Sequence, residues 1–137
     1  TQVGIFEATT SEVVSDPRAA TGSISKVSNL KLKSATSTIP AEIGVRFGFL
    51  FKPVGPSANA DTSVRMVLIY PKQGLDNPET RQTSLRDELT TDEKIGVEDY
   101  FGYTFENKWE LVPGTWTFEI WDGARKLAEK SFSVVKP

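Results

Sequence analysis

The sequence predicts an all-β chain, an antiparallel β-sandwich of about seven or eight short strands in one domain spanning residues 1–137. Three observations carry that prediction. Near the end of the chain Trp116, Phe118 and Ile120 alternate with Thr117 and Glu119, the two-residue period of a strand with one buried and one solvated face. In the first half Ile43, Val45, Phe47, Phe49 and Phe51 hold one parity without a break. The segments between such runs are rich in Gly and Pro, and no long helical period links them.

The elements follow in chain order. Val3 to Ala8 reads as a short strand, and Thr10 to Ala20 as a loop, because Asp16 is pushed out of the helical region by Pro17. Thr21 to Ser34 holds one strand or two, with Ser28, Leu30 and Leu32 on one face and Asn29, Lys31 and Lys33 on the other. The run from Ile43 to Phe51 is the expected centre of the core, where Phe49→Ala should cost roughly 3–5 kcal/mol. On its opposite parity Gly44 and Gly48 predict close packing, either a bulge or a neighbouring aromatic ring. Pro53 to Asp61 is a loop. Val64 to Tyr70 is apolar on both parities and therefore interior.

Lys72 to Glu98 is too long for a bare loop and must contain an element. Ser84 to Asp87 resembles a capping box with Leu85 and Leu89 on one helical face, while Thr83, Leu85 and Asp87 fit an edge strand equally well. Phe101, Tyr103 and Phe105, then Trp109 and Leu111, supply the strand leading into the closing hairpin, which turns at Asp122-Gly123. In the returning strand Leu127 and Phe132 are of opposite parity. Either a bulge near Glu129-Lys130 reconciles them, or Ala128, Phe132 and Val134 face inward with Lys130 at an edge.

Composition restricts function. The 16 Lys and Arg against 18 Asp and Glu leave a net charge of −2, with no field to draw nucleic acid or an anionic membrane. No apolar run approaches the ~20 residues of a membrane span, so no membrane insertion is expected. The chain has neither Cys nor His, which removes thiolate and imidazole chemistry, catalytic triads and the usual zinc sites. No cofactor is implied. The chain opens at Thr1 with Met66 as its sole methionine, which points to a removed leader or a start within a longer protein. A secretory leader suits the Thr- and Ser-rich opening, so a periplasmic or extracellular location is the expectation.

The run Pro113 to Ile120, a Gly turn, and Leu127 to Val134 resembles the last two strands of bacterial immunoglobulin-like domains. Together with Gly4-Ile5-Phe6-Glu7, Arg46-Phe47-Gly48-Phe49 and Tyr103-Thr104-Phe105, nearly the whole chain is similar to an uncharacterised bacterial family known as a domain of unknown function. The resemblance implies an immunoglobulin-like sandwich in a usually exported protein, and it brings no assigned active site. The paired cysteines of antibody-type domains are missing.

Trp121 is the leading candidate binding residue, since its parity places it on the solvent face beside Asp122 and the turn, where an indole can serve a sugar ring or an apolar group of a partner. The alternative is that another strand or the Lys72 to Glu98 segment covers it. Tyr100 and Trp109 would add aromatic surface, although aromatics are needed chiefly for the core. Paired acids at Asp87-Glu88, Asp92-Glu93 and Glu98-Asp99 raise glycoside hydrolysis and calcium binding, but no EF-hand spacing is present and adjacent strand residues point apart. Lys26, Lys31 and Lys33 read as a solubilising strip on a strand edge. The functional expectation is a non-catalytic exported module binding or scaffolding an envelope protein or glycan. A carbohydrate-binding module built on Trp121 is the alternative, and a carboxylate-only hydrolase using Glu88, Glu93 and Glu98 the third.

Overall fold

A computed structural model of the chain describes the backbone of residues 2–15, 23–55 and 60–137, and the side chains of 2–7, 30–55 and 60–137. The fold is nearly all β. A four-stranded antiparallel sheet has the order β2-β1-β4-β9, formed by Ser23–Ser34, Val3–Ser15, Arg46–Phe51 and Asp99–Thr104. A five-stranded sheet has the order β3-β11-β10-β5-β8, formed by Thr38–Pro40, Arg125–Val135, Gly114–Asp122, Asp61–Ile69 and Arg86–Lys94. β3 runs parallel to β11 and the other pairings are antiparallel. Two further short strands, β6 (Leu75–Asn77) and β7 (Gln82–Ser84), form a small ribbon of their own.

The alternation in the sequence becomes the two faces of a sandwich. Phe47 and Phe49 of β4 point at Trp116, Phe118 and Ile120 of β10 and at Phe132 and Val134 of β11, and all seven are buried. The core is a lattice of edge-to-face rings, the favoured arrangement for aromatic quadrupoles. Phe47 alone meets Trp116, Phe118 and Phe132 at centroid distances of 5.7, 5.7 and 5.4 Å, and Phe105 and Tyr103 close its other sides.

Several expectations change. Ile43 belongs to a turn and is 52% exposed, because the chain enters β4 only at Arg46. β1 runs on to Ser15 through much of the expected loop, while the Asp16-Pro17 part of that loop lies outside the described residues. β2 is a single strand. In the unread segment the helical alternative is not used: β8 is an edge strand with Asp87, Leu89, Thr91 and Glu93 turned toward the core side, and Leu85 sits exposed at its entry. Tertiary pairing with β5 overrides the local capping-box pattern. The bulge in the last strand falls at Leu127 rather than near Glu129-Lys130. Ile120 opposes Ala128 and Trp121 opposes Lys126, which leaves Leu127 as the extra, outward residue and puts Ala128, Phe132 and Val134 on the inner parity. Trp109 lies in a 3-10 turn, Lys108–Glu110, not in a strand. β3 carries no readable period, being three residues long.

Candidate functional site

Trp121 stands where its parity places it, on the outer face of the five-stranded sheet. The expected open platform is furnished instead with charge. Across the strands Trp121 pairs with Arg65 of β5 on one side and Lys126 of β11 on the other. The Arg65 guanidinium lies over the indole ring 5.5 Å from its centre, and the Lys126 ammonium 5.7 Å from it. The indole N–H donates to Glu119 Oε1 at 3.0 Å, two residues back on the same face. Lys126 in turn bridges Glu129 at 2.7 Å and Glu119 at 3.6 Å. Trp121 is thus a half-buried member of a ladder of cations and carboxylates. Asp122 is exposed at the hairpin end, with the Arg125 guanidinium 3.5 Å away across the turn.

Tyr100 lies on the other sheet, on its outer face, so it shares no surface with Trp121. There one row of the sheet consists of Gly4, Gly48 and Gly102, side by side across β1, β4 and β9. The Tyr100 ring fills the space that a side chain at Gly102 would occupy and meets Phe6 edge to face at 5.2 Å. Its hydroxyl donates to the Phe47 carbonyl at 3.2 Å. Burial pushes that hydroxyl above the usual tyrosine range, with the Arg46 charge pulling weakly the other way. Of the two glycines expected to mark close packing, Gly48 does so against the β9 backbone, where Phe101 and Gly102 leave no room for a side chain. Gly44 instead sits in the turn before β4, with nothing within 4 Å of the space a side chain would take. The aromatic ring, Tyr100, covers Gly102 rather than either of them.

The acids expected as catalysts do not converge. Glu88 is exposed on the outer face in an ion pair with Arg86, Glu98 is exposed in the turn between β8 and β9, and Glu93 is buried on the inner parity of β8. The carboxyl of Glu93 is displaced upward, to about 8, by burial first and then by a hydrogen bond to Asp99 and the negative charge of that residue. The pair flanks the corner where the chain passes from one sheet to the other.

A second polar cluster escaped the sequence. Glu110 is fully buried and accepts hydrogen bonds from the Tyr103 hydroxyl at 2.7 Å, the Asn107 amide and the Glu106 backbone N–H. Tyr103 packs on Tyr70, whose hydroxyl donates to Asp87 at 2.6 Å. Burial raises both phenols far above their ordinary range, and Asp87 and Glu110 add to the rise. No local spacing announces Glu110. Glu119, by contrast, was findable as the same-face neighbour of Trp121, whereas Arg65 depends on a strand pairing 56 positions away (121 − 65).

An open groove of about 420 Å³ between Gln2, Val3, Leu32 and Ala35 to Ser37 carries no charged side chain. Among the described residues no group of His, Cys, Asp or Glu is arranged to hold a metal ion, and no helix is long and apolar enough to cross a membrane.

No curated protein matches the chain. Its fold is shared with the crystal structure of an immunoglobulin-like protein (PA1606) from Pseudomonas aeruginosa, with a TM-score of 0.68 and 24% identity over 98% of this chain and 90% of that one. At that identity the likeness establishes the fold, an immunoglobulin-like sandwich. Residues 1–134 match a family described as a domain of unknown function (DUF3859), and over that near-complete length the chain belongs to the DUF3859 family.

Proposed function

We propose that the domain is a non-catalytic, exported module that binds or scaffolds another component of the bacterial cell envelope. The observation that carries this reading is the disposition of its acids. With no His or Cys in the chain, carboxylates are the remaining acid-base groups with a suitable range, and Glu88, Glu93 and Glu98 occupy an outer face, an inner face and a turn. Glu93, displaced upward, is 6% exposed and spends its hydrogen bond on Asp99. What remains for function is surface on a rigid sandwich.

A protein partner is favoured over a glycan because Arg65 and Lys126 already hold the positions over the Trp121 ring that a stacked sugar would take. The test is reproducible co-purification of an envelope protein with the folded domain but not with a control sandwich. Retention of nothing removes the reading. A melting-temperature rise with glycans that disappears in Trp121→Phe would replace it with the carbohydrate reading.

A further inference from the structure

We propose that the edge of β9, unpaired among the described residues, is a self-association surface, on which a second copy of this chain adds its own β9 antiparallel about a two-fold axis through Gly102. Among the described residues the four edges of the two sandwich sheets are not alike. β8 lines its outer face with Arg86, Glu88, Asp92 and Lys94, all exposed, and β3 is three residues ending in Pro40. On β2 the described side chains at the sheet end include exposed Lys31 and Lys33. Charge, proline and brevity are the devices that keep an edge from pairing. β9 has none of them after Asp99, for Tyr100, Phe101, Gly102, Tyr103 and Thr104 are uncharged.

The hydrogen-bond phase identifies which groups are offered. The Leu50 N–H donates to Gln2 on the β1 side, so Phe47, Phe49 and Phe51 serve β9 through Tyr103, Phe101 and Asp99. The backbone groups of Tyr100, Gly102 and Thr104 consequently point away from β4, toward the open side. A two-fold axis at Gly102 uses all three at once, pairing Gly102 with its own copy and Tyr100 with Thr104 of the other chain. Glycine at the centre permits the closest approach.

The same register sets Phe101 opposite Tyr103 of the second copy, twice. Both rings belong to the core but are left half-buried by the open edge, whereas Phe47 and Phe49 beside them on β4 are at most 1% exposed. Aromatic cross-strand pairs of this kind stabilise a ladder. The sole charge of the strand, Asp99, falls at opposite ends of the pair, so like charges do not meet. Asp99 Oδ1 currently accepts the Tyr100 N–H at 2.8 Å and would hand it to the partner's Thr104 carbonyl.

The test is light scattering of the wild-type domain from micromolar to millimolar concentration, with amide hydrogen exchange at both ends of the range. The expected result is a doubling of mass accompanied by roughly tenfold slower exchange at Gly102 and Thr104. Thr104→Pro, which deletes an outward N–H that β4 does not use, should remain monomeric. A chain monomeric throughout overturns the proposal, as does a dimer whose Gly102 and Thr104 amides exchange as in the monomer. If Thr104→Pro fails to fold, the wild-type exchange pattern alone decides.

Discussion

Tyr100 lays its ring over Gly102, two residues along the same strand, and fastens it there through the Phe47 carbonyl. Any side chain at 102 would occupy the space of the phenol. Gly102→Ala should therefore lose about 1–3 kcal/mol in urea denaturation, and adding Tyr100→Ala should cost much less than the sum of the two single changes. Strict additivity would mean that the ring and the glycine are independent.

Glu93 makes stability depend on pH in an unusual direction for a carboxyl. Its native pKa stands at about 8 against an ordinary 4.5, so the protonated acid is the form the fold prefers. The contribution is fully present below about 4.5 and is lost as pH rises through about 8. Melting temperatures should fall across that window, and Glu93→Gln, which keeps the hydrogen-bonding shape without the charge, should flatten the fall and be the more stable protein at pH 8. An unchanged slope in the variant would assign it to another group.

All three tyrosines of the chain are held neutral by burial. Absorbance titration at the phenolate band should show no separate ionisation near the ordinary tyrosine pKa, only one cooperative step coincident with unfolding. Since the folded values are raised, stability drops as pH climbs above that of the unfolded phenols. Glu110→Ala strips the Tyr103 hydroxyl of its buried acceptor and should cost about 3 kcal/mol or more at pH 7.

For Trp121, two cations near the ring and a satisfied indole N–H predict a structural cost on removal. Trp121→Ala should destabilise by about 1–2 kcal/mol, with part of the loss disappearing at high salt. A freely exposed platform would lose almost nothing.

Phe47 touches five other rings, so Phe47→Ala should cost about 3–5 kcal/mol, most of the stability of a small domain, while Val54→Ala, at a position 94% exposed, should be silent in the same denaturation series.

What could be read beforehand was whatever repeats locally. Phe47, Phe49, Trp116, Phe118 and Ile120 declare their face through a period of two, and the outward parity of Trp121 follows from the same count. Gly48 announced a close approach, which the β9 backbone makes, while Gly44 owes its place to a turn with a positive φ, a distinction that parity cannot draw. Ile43 shows the limit at a boundary, since parity continues into a turn where the backbone has left the sheet. The Leu127 bulge was detectable as a parity conflict, but its position is set by what β10 places opposite, which no nearby residue records. β8 hid because an edge strand with polar residues on both faces lacks the apolar contrast that periodicity needs. The surroundings of Trp121 and the burial of Glu110 come from long-range pairing, and they changed the character of the candidate site more than any local pattern did.

The position of β11 has a consequence for biogenesis. This last strand is inserted between β10 and β3, and with β10 it brings Trp116, Phe118, Ile120, Phe132 and Val134 to the core. A ribosome delivers those residues after every other wall of the sandwich. Until positions 114–135 have emerged, Phe47 and Phe49 can rest only on neighbours such as Phe51, Phe101, Tyr103 and Phe105, so the opposite side of the core closes in a late step.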